Sequence, residues 1–570
     1  MAQPPADPLA SPAVAESRRL AVRAKSAAAR LAECSQPQID AIVAAVAAAA
    51  RARVEPFAQL AVEETGFGVV ADKIQKNRFA AERVYDFIKP MRTVGVIRRD
   101  EVRKVIEIAE PFGVVAAIVP STNPTSTAIY KILISLKARC PIVISPHPSA
   151  SRCITQVAET LAEAAYAAGA PDGSVNWLTQ VSLEGTQELM RHRDVAVILA
   201  TGGMGLVRAA YSAGKPAYGV GPGNAPCFIE RSADLAKAAS DILTGKSFDH
   251  GVLCSSPNSV VVEMAVADET RRQFQAQGGY FLSPAEVETV SRALVTPQRL
   301  PNPTFVGKSA TYIAKAMGIA VPDGTRALLA ELGGVGRDFP LSIEKLCPVL
   351  SYYVVADWQE GCERCKQILR YGGMGHTMSI HSTNDQIILE FGLKKPAFRI
   401  CVNTPTTHGS IGLTTGLDPA MTLGCGGYGG NITSDNITPM HLLNVKRLAY
   451  ELRPASTGRT TPATSTGAVP GQAPLPRVAV PPAERGISAA LLTSHVEAFL
   501  GGRSGPGDGS PVPAAQPVAE FVCERDVQQA IESGQTILIG ERTIITPLAR
   551  DLGEAHKILV TSRWPAGSNR

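Results

Sequence analysis

One cysteine stands in a local sequence that suits a nucleophile. In the segment SFDHGVLCSSPNSVVV (247–262), Cys254 lies between Gly251 and the Ser255–Ser256 pair, just before an apolar run. A cysteine at such a glycine-loosened junction can act as a thiolate nucleophile when a helix dipole or a nearby cation lowers its pKa. Because buried, inert cysteines are common, the local sequence leaves both a catalytic and a structural role open.

Two further kinds of segment carry residues that often bind ligands. The segment PSTNP (120–124) follows an apolar run, and the amide of Asn123 at a strand end could donate a hydrogen bond to developing negative charge. A simple turn residue is the alternative. The glycine-rich segments at 202–205 and 219–224 let a backbone approach a ligand closely, although neither matches GxGxxG and such glycines often only make turns.

A CxxC pair, Cys362 and Cys365, is the other cysteine pattern in the chain. It falls in a predicted helix, and no second pair of ligands lies near it in the sequence. Structural zinc sites need four ligands, so we expect no metal site here.

The elements that must position these residues follow from the apolar pattern. From Gly113 onward, short apolar runs alternate with helical segments, which is typical of a parallel sheet buried on both faces. The sequence therefore predicts an α/β fold with a doubly wound, nucleotide-binding sheet. The predicted strands cover residues 114–120, 141–146, 175–179 and 195–201, and the helices cover 125–139, 150–168 and the residues from about 187 to 192.

Two other regions complete this prediction. An Ala-rich segment from Val14 to Ala50 predicts a helical lead-in, and residues 227–425 repeat the α/β pattern. In that second region, strands are predicted near 259–264, 310–314 and 349–355, and helices near 233–243, 285–294 and 358–370.

Composition excludes several classes of protein. The chain has 570 residues, of which 45% are hydrophobic and 19% charged, so it can bury a large core and is not a disordered protein. A net charge of +5, without Lys/Arg blocks, gives no reason to expect nucleic acid as a partner, and no apolar run is long enough to span a membrane. Eleven widely spaced cysteines favour free thiols in a reducing compartment.

Taken together, these segments resemble the aldehyde dehydrogenase superfamily, specifically its coenzyme-A-acylating branch. The resemblance runs from about residue 15 to about 452, and its motifs follow one another in the family's order. They are PFGVVAAIVPSTNPTST (111–127), VISPHPSA (143–150), ATGGMGLVRAAYSAGKPAYGVGPGNAP (200–226), FDHGVLCSS (248–256), EKLCPVLSYY (344–353), VNTP (402–405) and the glycine-rich residues 422–431. The implied fold is a Rossmann-type cofactor domain plus an α/β catalytic domain.

The resemblance implies roles for individual residues. Cys254 is then the nucleophile, and Asn123 lines an oxyanion hole together with the backbone N–H of Cys254. Position 250 departs from the family, because His250 stands where relatives carry a smaller amide residue, and we expect it to pack. The residues expected to border the dinucleotide are Pro120, Ser121, Ser145, His147, Thr201, Gly202, Gly203, Gly221 and Glu344.

The family also implies the cofactor and the assembly. NAD is the expected cofactor, with NADP as a possibility, and coenzyme A is the expected co-substrate. By analogy, a short-chain aldehyde of two or three carbons, such as propionaldehyde, is the expected substrate, because the encapsulation considered below would suit a volatile, reactive aldehyde. A homodimer or homotetramer is expected, with no nucleic acid and no membrane as partners.

The acyl acceptor is predicted from a missing carboxylate. Hydrolytic members of the family carry a glutamate upstream of the cysteine that activates water, and Val220 stands at that position here. Glu331, in a later ELGG segment, is expected to be structural. Without a general base for water, a thioester should survive until a thiol attacks it. A hydrolytic or semialdehyde dehydrogenase is the first alternative, and a binding protein that retains the fold is the second.

The C-terminal region differs from the rest in composition. Residues 454–517 are rich in Pro, Gly, Ala, Ser and Thr, with one amphipathic segment at 487–500. Together with residues 518–570 they resemble extensions that recruit enzymes to bacterial microcompartment shells, so the expected location is the bacterial cytoplasm, inside such a compartment. A disordered appendage or an oligomerisation module is the alternative.

These expectations give a division of the chain. The expected parts are a disordered N-terminus (1–12), a cofactor-binding domain (13–226), a catalytic domain (227–425), a linker (454–517) with a helix at 487–500, and a small targeting or interaction segment (518–570). Residues 426–453 are expected either to return to the cofactor-binding domain or to form an oligomerisation arm.

Overall fold

Two separate units make up the chain, one within residues 1–457 and the other within residues 458–570. The computed structural model describes residues 11–453 of the first unit and 519–561 of the second. Some predicted segments lie wholly or almost wholly outside the described residues: 1–12 and the linker 454–517 with its helix 487–500.

Helices form the N-terminal part of the first unit. The predicted continuous helix from Val14 to Ala50 is two helices, because Ser35 and Gln38 form a capping box that starts a second one. In that box the Ser35 backbone N–H donates to Gln38 Oε1 over 2.8 Å. The helices are α1 (Pro12–Ala32), α2 (Gln36–Ala52), α3 (Val54–Thr65), α4 (Val70–Arg78) and α5 (Val84–Ile88), with a π-helical turn at Phe79–Arg83 between the last two.

A hairpin follows these helices. It consists of β1 (Gly95–Asp100) and β2 (Val105–Pro111), which pair in antiparallel fashion. The sequence pattern did not predict this hairpin, because its residues are only partly buried and do not form an apolar run.

A five-stranded parallel sheet comes next and confirms the predicted doubly wound pattern. The strands lie in the order β5-β4-β3-β6-β7, so the chain moves outward in one direction and then restarts beside β3. Every residue of β3 is buried, as expected for a sheet covered on both faces. The elements are β3 (Val114–Val119), α6 (Pro124–Lys137), β4 (Ile142–Pro146), α7 (Ser151–Ala167), β5 (Val175–Trp177), α8 (Leu183–Arg191), β6 (Val195–Thr201), α9 (Met204–Tyr211) and β7 (Ala217–Val220).

A seven-stranded parallel sheet forms the second α/β region, in the order β10-β11-β12-β9-β8-β13-β14. Its strands are β8 (Ala225–Ile229), β9 (Pro257–Glu263), β10 (Gly279–Phe281), β11 (Ala327–Glu331), β12 (Val349–Val355), β13 (Gly375–His381) and β14 (Ala397–Val402). Its helices are α10 (Leu235–Ser247), α11 (Ala267–Ala276), α12 (Pro284–Leu294), α13 (Ala310–Ala316), α14 (Trp358–Tyr371), α15 (Asp385–Leu393) and α16 (Thr406–Ser410).

The prediction of a strand at 310–314 is wrong, because this segment is helix α13. Ser309 caps it, with the Tyr312 backbone N–H donating to the Ser309 hydroxyl over 3.1 Å. Ile313 and Ala314 are buried on one face of the helix while Tyr312 stays exposed, so the short apolar run reflects a helical face.

The last strand of the first unit returns to the hairpin. Strand β15 (Leu443–Ala449) pairs with β2 in antiparallel fashion, which completes a three-stranded sheet in the order β1-β2-β15. This strand lies inside the segment 426–453 that the sequence assigned to a return or an arm.

The described part of the second unit is a small parallel sheet. It contains β16 (Ala519–Val522), α17 (Glu524–Ser533), β17 (Ile537–Ile545), α18 (Pro547–Ala555) and β18 (Leu559–Thr561). Val522, Val527 and Ala549 form its buried apolar cluster. Across the described residues of both units, no helix is both long enough and apolar enough to cross a membrane.

Candidate active site

A cleft of about 440 Å³ opens at the carboxyl ends of β3 and β6, where the strand order of the five-stranded sheet reverses. Such a switch point is the usual ligand site of a doubly wound sheet. The cleft collects every residue that the sequence suggested as catalytic or cofactor-binding: Pro120, Ser121, Asn123, Ser145, His147, Thr201, Gly202, Gly203, Gly221, Cys254 and Glu344.

Backbone geometry fixes the loop that carries Cys254. Asp249, His250 and Gly251 all have positive φ angles, of 49°, 52° and 75°, in the short turn before the cysteine. Two of these residues are not glycine, so the turn needs support from its surroundings. The Asp249 backbone N–H donates to Asp72 Oδ2 over 2.7 Å, and the Val69 backbone N–H donates to Asp249 Oδ1 over 2.7 Å.

Asn123 lies at the start of α6, facing the same loop. Its side-chain Nδ2 is 3.2 Å from Thr122 Oγ1 and 3.5 Å from the Val252 carbonyl oxygen. Its Oδ1 accepts a hydrogen bond of 2.6 Å from Lys76 Nζ. The amide N–H₂ of Asn123 therefore points from the edge of the five-stranded sheet toward the residues just before Cys254.

The surroundings of Cys254 keep its thiol protonated. Burial raises the pKa of the Cys254 thiol to about 12, and the charges of Glu344 and Cys425 act in the same direction. The Arg399 guanidinium opposes them. Formation of the thiolate at neutral pH therefore requires a base or an added positive charge in the cleft.

Glu344 approaches Cys254 from the loop before β12. Its Oε1 accepts a 3.0 Å hydrogen bond from the Gly223 backbone N–H. Burial raises the pKa of Glu344 to about 8, although Lys246 and Lys345 oppose the shift. Among the described residues that line the cleft, Glu344 carries the one carboxylate, and Val220 lines it with an apolar side chain.

Gly223 separates Cys254 from a histidine that the sequence analysis missed. A Cβ at Gly223 would lie 2.1 Å from the Cys254 carbonyl oxygen and 3.2 Å from His376 Cγ. The buried His376 has no hydrogen-bond partner at Nε2, and burial lowers the pKa of its imidazole to about 3. His376 lies in strand β13, which the sequence analysis did not predict, so no local signal drew attention to this residue.

The other wall of the cleft can accept an extended anionic ligand. Lys131 Nζ donates to the Ile118 and Leu199 carbonyl oxygens over 2.7 and 2.9 Å and to Thr201 Oγ1 over 3.1 Å, which ties the two strand ends together. Gly203 precedes the first residue of α9, where backbone N–H groups are free for an anion, and a Cβ there would meet nothing within 4 Å. These features fit the diphosphate of a dinucleotide.

Four residues weighed in the sequence analysis lie elsewhere. Glu331 does not line this cleft and forms an ion pair with Arg271. His250 contacts the Gly307 carbonyl oxygen through Nδ1 at 3.0 Å. Cys362 and Cys365 are buried in α14, and the described residues contain no cluster of three or more His, Cys, Asp or Glu that could hold a metal.

Comparison with known proteins places this arrangement among aldehyde dehydrogenases. The family model described as "Aldehyde dehydrogenase family" matches residues 10–279. The chain is 43% identical over 442 residues to the bifunctional aldehyde-alcohol dehydrogenase of Escherichia coli K12, covering 76% of this chain and 49% of that protein. It is 37% identical over 433 residues to the succinate-semialdehyde dehydrogenase (acetylating) of Clostridium kluyveri, covering 76% and 95%. The chain thus spans about half the length of the bifunctional curated relatives it matches.

Solved structures agree in fold. An acetylating aldehyde dehydrogenase from Geobacillus thermoglucosidasius is 47% identical with a TM-score of 0.76, covering 78% of this chain and 98% of that one. A Rhodopseudomonas palustris propionaldehyde dehydrogenase with bound CoA and an acylated cysteine is 26% identical, with a TM-score of 0.70 and coverages of 76% and 97%. A propionaldehyde dehydrogenase from a Clostridium phytofermentans microcompartment is 27% identical, with a TM-score of 0.69 and coverages of 76% and 97%.

The charge of Glu344 should control the reactivity of Cys254. At pH 9 the carboxylate is ionised and raises the thiol pKa, so Glu344→Gln should lower that pKa and accelerate alkylation of Cys254 by iodoacetamide about three- to tenfold. At pH 6 Glu344 is protonated, and wild type and variant should react at similar rates. Mass spectrometry of the Cys254 peptide measures the rate, with Glu331→Gln as the control carboxylate, and equal rates at pH 9 would contradict the assignment.

Gly223 should tolerate no side chain. Gly223→Ala should lower the midpoint of thermal unfolding, since its methyl would collide with the Cys254 carbonyl and overpacking costs about 1–3 kcal/mol. Gly392→Ala is the matched control, because a Cβ at this position in α15 meets nothing within 4 Å and Gly→Ala in a helix stabilises by roughly 0.5–1 kcal/mol. Differential scanning fluorimetry should show opposite signs, and a Gly223→Ala midpoint equal to wild type would show that the close approach is not real.

Proposed function

The chain belongs to the aldehyde dehydrogenase family, and from that premise we propose that it is a coenzyme-A-acylating member. It oxidises an aldehyde with NAD(P)⁺ and transfers the acyl group to coenzyme A through a thioester on Cys254. The observation that carries the proposal is a cleft with one cysteine nucleophile and an apolar Val220 where a water-activating glutamate would stand.

The nucleotide would occupy the carboxyl edge of the five-stranded sheet. The residues that would hold it are Pro120, Ser121, Ser145, His147, Thr201, Gly202, Gly203, Gly221 and Glu344. When bound, a nicotinamide cofactor accepts a hydride from the aldehyde carbon. NAD is the proposed form and NADP the alternative.

The side chains around Cys254 account for the acyl-forming half of the reaction. Cys254 first gives up its thiol proton to a base, for which the ionised Glu344 carboxylate is the candidate in the cleft. The thiolate then adds to the aldehyde carbonyl, which forms a C–S bond and places negative charge on the oxygen. Asn123 Nδ2, which faces the nucleophile loop, and the Cys254 backbone N–H donate hydrogen bonds to that oxygen. Departure of the hydride restores the carbonyl and leaves a thioester on Cys254.

The second half requires a proton acceptor for the incoming thiol. The coenzyme A sulfur attacks the thioester carbonyl, its proton must leave, and Cys254 departs as thiolate. Glu344, which lines the cleft with Cys254 and whose pKa of about 8 matches a thiol, can receive the proton. It does not lie at the Val220 position, which supports transfer to a thiol in preference to water.

The proposed substrate is a short-chain aldehyde of two or three carbons. The names of the similar structures, acetylating aldehyde dehydrogenase and propionaldehyde dehydrogenase, support this size. Val252 and Leu346 line the cleft together with Cys254, so an alkyl group beside the reacting carbon would meet apolar side chains.

The proposed assembly is a homodimer or homotetramer. Support comes from the three-stranded sheet β1-β2-β15, in which five of the seven residues of the edge strand β15 are exposed. Leu448, Tyr450 and Leu452, in and just after that strand, are 50%, 60% and 63% exposed, and exposed apolar side chains that cluster are typical of protein–protein contacts.

The C-terminal unit is proposed to bind shell proteins of a bacterial microcompartment. One similar structure comes from such a compartment, and the unit shows apolar side chains at its surface. Phe521, Leu548 and Val560 are 57%, 51% and 42% exposed. An apolar surface on a tethered unit suits docking to a partner.

Acyl transfer is tested by leaving out coenzyme A. Purified protein should reduce NAD⁺ continuously with propionaldehyde only when coenzyme A is present, and mass spectrometry should find propionyl-CoA. Cys254→Ser should lose at least about a thousandfold in kcat, while Cys34→Ser, at a partly exposed cysteine outside the cleft, should keep wild-type turnover. Continuous turnover to free propionate without coenzyme A would establish the hydrolytic alternative.

Deletion of residues 458–570 tests the role of the C-terminal unit. The division of the chain near residue 457 predicts that the truncated protein folds and keeps its kcat and KM within about twofold. It should no longer co-sediment with purified microcompartment shells. Co-sedimentation equal to that of the full chain would overturn the targeting proposal, and loss of activity on deletion would indicate a role in catalysis or folding.

A further inference from the structure

Behind Asn123 lies a buried cluster of two lysines and one aspartate. Lys73 and Lys76, on α4, are 1% and 2% exposed, and the Asp249 side chain between them is fully buried. Lys73 Nζ lies 2.9 Å from Asp249 Oδ2, and Lys76 Nζ forms an ion pair with the same oxygen. The backbone N–H groups of Val69 and Asp249 and the Asp72 carboxylate complete the hydrogen bonds of the cluster.

The two lysines differ in what else they bind. Lys76 Nζ donates to the side-chain Oδ1 of Asn123 over 2.6 Å. Lys73 Nζ donates to the backbone carbonyl of Thr122 over 3.3 Å. Lys76 therefore contacts the amide that faces the cleft, while Lys73 contacts only the neighbouring backbone.

The contact with Lys76 determines which way the Asn123 amide points. An ammonium group has donors and no acceptor, so the amide atom that faces it must be the oxygen. The N–H₂ of Asn123 then faces the opposite way, toward the Val252 carbonyl at 3.5 Å and the cysteine that follows. Without the Lys76 donor, the Asn123 amide could rotate by 180° and exchange its Oδ1 and Nδ2. The remaining contacts oppose that exchange less strongly, because the Thr122 hydroxyl can pair with either atom.

We propose that Lys76 is a positioning residue that locks the Asn123 amide with its N–H₂ toward the oxyanion. The inference rests on the proposed function, in which Asn123 donates to the oxygen of the adduct on Cys254. Asp249 contributes by holding the Lys76 ammonium in place and by carrying the turn that leads to the cysteine. One buried carboxylate thus sets the position of both the donor and the nucleophile.

Single-turnover kinetics of Lys76→Met and Lys73→Met test this role. Each variant removes one ammonium and leaves the other paired with Asp249, so the two are matched in charge and burial. The burst of NADH that accompanies acyl-enzyme formation should slow at least tenfold in Lys76→Met, toward the hundredfold typical of a lost oxyanion donor. KM values for aldehyde and NAD⁺ should change less than threefold, and Lys73→Met should slow the burst less than threefold.

A double-mutant cycle separates positioning from a general structural effect. In an Asn123→Ala background, Lys76→Met should slow the burst no further than about twofold. An undiminished Lys76→Met effect in that background, or equal slowing by Lys73→Met, would overturn the inference. If Lys76→Met does not fold, Lys76→Gln in both backgrounds decides. Its amide can present either a donor or an acceptor to Asn123, so it should slow the burst with Asn123 present and have no effect without it.

The same measurements keep this inference apart from the proposed function. A wild-type protein that shows no coenzyme-A-dependent turnover would refute the proposed function itself. A wild type that turns over as proposed, with an Asn123→Ala burst as fast as its own, would remove the oxyanion role of Asn123 and with it the role of Lys76. Normal wild-type turnover, a slow Asn123→Ala and a fast Lys76→Met would refute only the positioning role.

Discussion

The buried carboxylate of Asp249 is the interaction on which the geometry around Cys254 depends. Burial by itself raises the pKa of this group, but Lys76 and Lys73 outweigh burial and hold the pKa below its usual range, so the carboxylate stays charged. The loop between α3 and α4 closes over it so tightly that a Cβ at Gly68 would lie 1.8 Å from Asp249 Oδ1. Buried ion pairs add little net stability over apolar packing, but they penalise every other arrangement of the same groups. The cluster therefore stabilises one conformation of the turn with positive φ angles before the nucleophile.

The two parallel sheets present opposite edges to the cleft. The five-stranded sheet contributes the carboxyl ends of β3 and β6, with Pro120 and Thr201. The seven-stranded sheet contributes the residues just before the amino ends of β8 and β9, with Gly221 and Cys254. A nucleotide on the first edge thus lies against the nucleophile on the second. This placement explains why glycine is needed at 223, where the backbone before β8 passes the Cys254 carbonyl.

Sequence reasoning recovered the parts of this arrangement that have local signals. Apolar runs marked four of the five strands of the five-stranded sheet, all but β7, and polar or glycine-rich segments marked the loops that line the cleft. The segment 310–314 misled the strand prediction, because a short apolar run cannot by itself distinguish a strand from one face of a capped helix. No local sequence pattern could have indicated Lys76 or His376, because their contacts are distant in the sequence. Lys76 meets Asp249 across 173 residues of sequence, and His376 meets Gly223 only through the packing of β13 beside β8.

The electrostatics of the cleft set how the thiolate responds to pH. For an isolated thiol at a pH below its pKa, each unit by which the pH rises multiplies the thiolate fraction by about ten. Here burial raises the pKa of Glu344 to about 8, and the charge of its carboxylate is one of the causes, after burial, that raise the Cys254 pKa to about 12. The thiolate fraction of the free protein must therefore rise less steeply with pH through this range than for a thiol without such a neighbour. Because thiolates are the species that oxidants and alkylating agents attack, the raised pKa of Cys254 lowers the fraction of the reactive form.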